Sequence, residues 1–225
     1  MLSARKLLIF LLIAMPLTAY AEDAPALTTL LGVGLWSRPA YDGADTNQTT
    51  LIPLVRHYGK TWFARTTFGM LEGGARTELL SGFTIGAQLA YEGGRESSES
   101  PFLSSHNFAS IVPSASVGVH AELEKYIGPM PLITLLRYRQ DVNNARGSQT
   151  DLRLIAGIYG GNSLNVGIFT QITWGDAKAA QYYYGISAQQ AASSGLPSFN
   201  AQNGQLLNSF GLLWSFEVNP LLAAC

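Results

Sequence analysis

Three histidines, at positions 57, 106 and 120, and one cysteine at position 225 bound the nucleophilic and metal chemistry open to this chain. Ser104, Ser105 and His106 set hydroxyls beside an imidazole, but a catalytic pair needs hydrogen-bonding geometry and a third group to orient the base, and adjacency in sequence supplies neither. His57, next to Tyr58 in an expected turn, reads as a solvated imidazole. Asp42 and Asp45 flank Gly43 without the ligand spacing of a calcium loop, so a turn is the expected role. Gly32-x-Gly34 lacks the third glycine and following helix of a dinucleotide site and reads as a glycine pair inside a strand. Asn47-Gln48-Thr49 matches a glycosylation sequon that chance produces often. No catalytic, cofactor-binding or metal-ligating residue is assigned, and no enzymatic activity is expected. The densest ionisable set is His120, Glu122 and Glu124, followed by Arg137, Arg139 and Arg153. At two-residue spacing the first three share one face of a strand, where they could hold a cation or serve as an acid-base row. The expectation is that they pair with the three arginines, because charges inside a narrow barrel need partners.

Such a row requires strands with one polar and one apolar face. Residues 164 to 174 have that pattern: Leu164, Val166, Ile168, Ile172 and Trp174, with Thr170, point one way, and Asn165, Gly167, Gln171 and Thr173, with Phe169, the other. Phe83, Ile85, Ala87, Leu89 and Tyr91 oppose Thr84, Gly86, Gln88 and Glu92 in the same manner. Val117, Val119, Ala121 and Leu123 oppose the row containing His120, Glu122 and Glu124. About eleven such segments are expected: Leu27 to Trp36, Thr49 to Arg56, Thr61 to Met70, Ala75 to Leu80, Phe83 to Glu92, Ile111 to Lys125, Leu132 to Gln140, Thr150 to Tyr159, Ser163 to Trp174, Ala179 to Ala188 and Gln205 to Glu217. A soluble β-sandwich would alternate too. Strand length, and Trp36, Trp62, Tyr91, Tyr126, Trp174 and Trp214 near strand ends, favour an antiparallel transmembrane β-barrel with aromatic girdles at both interfaces.

The N-terminus supports that location. Arg5 and Lys6 precede an apolar run from Leu7 to Met15 and a small-x-small site at Ala19-Tyr20-Ala21, the layout of a secretory signal peptide. Cleavage near Ala21 leaves residues 22–225 as one barrel domain and lowers the net charge from −1 to −3. Nothing in that charge balance invites nucleic acid as a partner. With 13% charged residues, 11% aromatic residues and 23 glycines, the surface composition suits strands facing lipid joined by tight turns.

Link lengths suggest an orientation. Residues His57 to Lys60, Ser81-Gly82, Tyr126 to Pro131 and Gly160 to Asn162 form compact links, whereas Ser37 to Gln48, Gly93 to Ser110 and Asp141 to Gln149 form long ones. This parity fits short periplasmic turns and long outer loops. In an eleven-strand count, the long link Gln189 to Gly204 falls on the periplasmic side, so Ser193, Ser194, Gly195, Leu196, Pro197, Phe199 and Asn200 form a candidate periplasmic partner-binding segment.

Three blocks in order resemble the MipA/OmpV family of outer-membrane proteins: Gly32-Val33-Gly34 through Arg38-Pro39-Ala40-Tyr41-Asp42-Gly43-Ala44-Asp45; Gly128-Pro129 with Arg137-Tyr138-Arg139-Gln140-Asp141; and Tyr183-Tyr184-Gly185-Ile186-Ser187 with Gln190-Ala191 and Ser194-Gly195-Leu196-Pro197. The resemblance covers most of the chain beyond the leader. It implies a barrel in the outer membrane of a Gram-negative bacterium and a scaffolding role linking a lytic transglycosylase to a murein synthase in peptidoglycan growth. It carries no catalytic residue. The family runs through a final strand to a terminal aromatic residue, and this chain ends Pro220-Leu221-Leu222-Ala223-Ala224-Cys225. Eleven strands of a twelve-strand set, with the closing C-terminal strand missing, is therefore the expectation, since bacterial single-chain barrels have an even number. The functional expectation is a non-enzymatic scaffold. A small-solute channel and an inert truncated fragment are the alternatives.

Overall fold

The computed structural model describes residues 8–12, 29–67, 69–161 and 164–216. Ten antiparallel strands follow one another: β2 (Thr29–Pro39), β3 (Asn47–Tyr58), β4 (Trp62–Thr67), β5 (Met70–Leu80), β6 (Phe83–Glu92), β7 (Ser114–Ile127), β8 (Met130–Asp141), β9 (Ser148–Gly160), β10 (Leu164–Gly175) and β11 (Gly204–Phe216). Each pairs with its neighbour in sequence. A five-residue strand, β1 (Leu8–Leu12), runs parallel to β11 and antiparallel to β2, and closes the barrel. It comes from the apolar run expected as the core of the signal peptide. The basic residues and the cleavage site of that leader lie outside the described residues, as do residues 217–225.

The alternation expected for β10 holds in space. Ile168, Thr170 and Trp174 are exposed, and Phe169, Gln171 and Thr173 between them are buried. In β6, Ile85, Leu89 and Tyr91 are exposed, and Thr84, Gln88 and Ala90 are buried. An apolar exterior around a polar interior is the reverse of a soluble barrel and suits a lipid surrounding. Trp62, Tyr126 and Tyr159 ring one end of that exterior, and Tyr91, Tyr138 and Trp174 the other. Trp36 does not join them. It packs inward, beside the buried pair Ile52 and Phe169 with Leu54, Ile155 and Leu213, because the outward positions of β2 are taken by Leu31, Val33 and Leu35. The Trp214 side chain lies outside the described residues.

One expected strand is a helix. Residues 179 to 188 run from α2 (Ala177–Tyr184) through a short link, where Ile186 bridges to Phe199, to the start of α3 (Ala188–Ser194). The alanines favour helix, the Asp176 carboxylate accepts from the Ala179 amide at 2.8 Å, and Ser187 with Gln190 forms a capping box at the next start. Gly195, at φ 73, ends α3 in the left-handed conformation. The count falls from eleven to ten, and this changes the topology. Thr29 and Phe216 now lie at the same end of the ten-strand meander β2–β11, and the barrel reaches an odd eleven only through β1. The links of residues 59–61, 81–82 and 128–129 and the β9–β10 junction at Gly161 occupy that end, and the links of 40–46, 93–113, 142–147 and 176–203 the other. The segment Ser193 to Asn200 therefore belongs with the long loops. Its expected position at the short-turn end, which rested on reading 179–188 as a strand, is corrected.

Candidate functional site

Two constellations stand along the barrel axis. Inside the barrel, Arg65 on β4 lies opposite Glu72 on β5, and its Nε donates to Glu72 Oε1 at 2.7 Å while Nη1 meets Glu122 Oε2 at 2.9 Å. Arg137 on β8 binds Glu72 Oε2 through Nη1 and Asp151 Oδ2 through Nη2, both at 2.7 Å. Arg139 reaches the same Asp151 oxygen at 3.2 Å and Glu92 at 3.7 Å. Neutral donors complete the carboxylates: Gln88 and Thr67 donate to Glu72, each at 2.9 Å, and Thr173 donates to Asp151 at 2.7 Å. Arg153 donates through Nε to Gln171 at 2.8 Å. Glu72, Arg137 and Asp151 are fully buried at 1%, 1% and 0% exposure, so this charge cluster is shielded from solvent.

Of the expected charge row, Glu122, Arg137, Arg139 and Arg153 enter this network, but with other partners than the row supposed. The carboxylates on Arg137 and Arg139 come from β5, β6 and β9. His120, directly across from Arg137, is buried edge-on to Phe63 with its Nδ1 free of any hydrogen bond. Glu124 stays outside: it is exposed near the short-turn end and accepts from Tyr126. Arg65, Glu72 and Asp151, which hold the network together, were not singled out by the sequence pattern.

At the other end the four long links meet over a cavity of about 750 Å³. The three consecutive tyrosines of α2 tie it together, because successive helical residues point about 100° apart. Tyr182 lies under the Arg146 guanidinium, 4.9 Å from its ring centroid. Tyr184 donates its phenol to Asp42. Tyr183 lies in the field of Glu92, Arg146, Arg139 and Asp141, where the barrel mouth meets the cap. Burial raises both the Tyr183 and Tyr184 phenols above their ordinary value, with Glu92 adding to the first and Asp42 to the second. The long link of residues 93–113 is pinned by reciprocal backbone bonds between Arg95 and Ile111, both 2.8 Å, and Asn107 donates to the Ser193 carbonyl at 3.2 Å. Partial burial pulls the Arg95 guanidinium below its ordinary value, against Asp42 and Glu99, which pull it up.

Asp176 fastens α2 to the barrel rim. Besides capping the helix, it accepts from the Ser148 amide and hydroxyl, both at 2.9 Å. Burial pushes its carboxyl up, but the bonds from Ala179 and Ser148 prevail and hold it below the ordinary value. Gly147, at φ 66, makes room for this contact: a Cβ there would sit 2.1 Å from Asp176 Oδ1.

The remaining candidates resolve simply. Ser105 Oγ is 3.2 Å from His106 Nδ1, but that nitrogen also lies 2.9 Å from the Phe102 carbonyl, within the five-residue helix α1 (Pro101–Ser105) and its cap. His57 lies in a strand rather than the expected turn. It is the penultimate residue of β3, stacks on Trp62 at 4.0 Å and shares a 2.7 Å bond with Thr29. Asp42 serves Tyr184, and among the described residues no group of three metal-binding side chains gathers.

Antiparallel strands joined to their neighbours, an apolar exterior with aromatic ends, a polar interior, and short turns opposite long loops define an outer-membrane type of β-barrel. Within that class, residues 31–224 match the model of the family described as MltA-interacting protein MipA, and the chain belongs to that family. Comparisons with curated proteins and with solved structures gave no match.

Proposed function

We propose that this protein is a non-enzymatic, non-conducting scaffold of the outer membrane, delivered there by a leader cleaved near Ala21, whose removal takes β1 with it and leaves β2 and β11 to close the barrel on each other. It engages a lytic transglycosylase of the MltA type, the partner in the family's name, and through it a murein synthase. One observation supports the scaffold over the channel: inside the barrel Arg137 on β8 joins Glu72, three strands away on β5, to Asp151 on the adjacent β9, and all three are fully buried and paired. A pore needs a continuous water path, whereas this interior uses its polar groups on each other.

The orientation follows the usual barrel rule, with short turns in the periplasm and long loops outside. On that rule the partner surface for murein enzymes is the short-turn end, where Lys60 and Lys125 are exposed, and the segment Ser193 to Asn200 does not take part. Capture of a purified lytic transglycosylase on the immobilised full-length protein tests this. Deletion of Ser193 to Asn200 should leave capture intact, and the double charge reversal Lys60→Glu and Lys125→Glu should weaken it. Failure of the unaltered protein to capture the enzyme would overturn the reading, and loss of capture in the deletion alone would move the surface to the other end.

A further inference from the structure

The scaffold reading makes no use of the cavity under the long loops, and its lining is unlike that of a space filler. One part is aromatic: Tyr41 and Phe102 stand 5.8 Å apart between centroids, and Phe102 and Phe108 6.2 Å. His106 also meets Phe102, at 4.3 Å between centroids, and Phe102 still keeps 40% exposure, so part of the ring is open to an occupant. Another part is polar and uncommitted. The Arg95 Nε is buried without a hydrogen-bond partner. Among the described residues, no hydrogen bond is seen for the phenols of Tyr41, Tyr182 or Tyr183, in contrast to Tyr184. The charged lining residues are Asp42, Arg95 and Lys178. Since Asp42 already accepts from Tyr184, the balance favours an anion.

A concave, half-aromatic cavity with a few convergent polar groups is the usual form of a small-ligand site, and its volume lies inside the roughly 300–1,000 Å³ of such sites. A flat ring with an apolar face fits the aromatic part, and a carboxylate answers a guanidinium edge through charge-assisted bonds. We propose that the vestibule binds a small ligand built on a six-membered ring that bears a carboxylate, the ring against Phe102 and Phe108 and the carboxylate on Arg95, with Tyr182 and Tyr183 donating to further oxygens. The site is held open in advance, because Tyr184 to Asp42, Asn107 to Ser193 and Arg146 on the Tyr182 ring fix the walls while engaging neither the Tyr182 and Tyr183 phenols nor the Arg95 guanidinium. Preorganisation of this kind raises affinity by removing the ordering cost.

Two sources supply this chemistry, an acidic sugar and an aromatic acid. Titration calorimetry of the refolded full chain with a galacturonic acid trisaccharide, with 4-hydroxybenzoate and with neutral maltotriose separates them. One of the two acids should bind saturably with Kd below about 1 mM, and maltotriose should not. Arg95→Gln and Phe102→Ala should each weaken that binding by about tenfold or more, with the heat-modifiable gel mobility of the folded barrel unchanged. Conductance and transglycosylase capture should be the same in these variants, so failure here is distinguishable from failure of the scaffold. Binding of neither acid, equal binding of maltotriose, or unchanged affinity in folded Arg95→Gln would overturn the proposal.

Discussion

The lumen and the vestibule are made from similar side chains, arginines, carboxylates, glutamines and tyrosines, and they use them in opposite ways. In the lumen the carboxylates of Glu72 and Asp151 are each held by two arginines and by neutral donors as well. In the vestibule one carboxylate, Asp42, is taken by Tyr184, and the difference lies in the carboxylates: single buried atoms stand without a hydrogen bond in both regions, Arg95 Nε in the vestibule and Arg65 Nη2, Gln88 Oε1 and His120 Nδ1 in the lumen. The lumen needs its pairs because a buried charge without a partner is costly, whereas the loop cap is wet enough to keep groups in reserve. Charge satisfied internally makes a wall, and charge left over makes a site.

The contrast breaks most readily at Arg137. Arg137→Ala leaves the buried Glu72 and Asp151 short of a counter-charge and should cost about 3–5 kcal/mol, read as a lower denaturant midpoint of the refolded barrel. Arg95→Gln should move the same midpoint by no more than about 0.5 kcal/mol. Equal destabilisation by the two would erase the distinction.

Next in size is the fastening of the cap. Asp176→Ala removes the α2 cap and both bonds to Ser148, and Gly147→Ala forces a side chain into Asp176 at a left-handed φ. Each should cost about 1 kcal/mol, seen as faster proteolysis within residues 176–203 while the barrel strands stay protected. Uniform proteolysis would show that the cap is not a separate unit.

A smaller effect is acid dependence. Asp176 has a folded-state value below its ordinary 3.8, so its contribution is complete above 3.8 and is lost as the pH falls through that lower value. Clipping of the cap should rise only below pH 3.8, and Asp176→Asn should flatten the profile. Smallest of all, Glu124→Gln should leave stability unchanged within about 0.5 kcal/mol, since among the described residues that exposed carboxylate accepts from Tyr126 alone.

The strands were legible because lipid outside and polar groups inside impose a strict period of two, as in β6 and β10. The helix at 177–184 was missed although Asp176 and Ser187-x-x-Gln190 are helix-start signals, because its mix of alanine and tyrosine also passes for an irregular strand. That one reading moved the segment Ser193 to Asn200 to the wrong end. The charge row was half legible. Spacing finds residues on one strand face, but Glu72 fell between two expected segments, and only barrel curvature brings β5 and β8 within reach of each other. The vestibule left no local trace, since its lining is drawn from four links far apart in sequence.

The occluded lumen is tested most directly by single-channel recording of the refolded protein in planar bilayers. Insertion without any resolved open state is the expected result, with openings in Glu72→Ala/Arg137→Ala, where the buried pair is removed. Stable stepwise conductance of the unaltered protein would contradict the closed interior and the scaffold built on it.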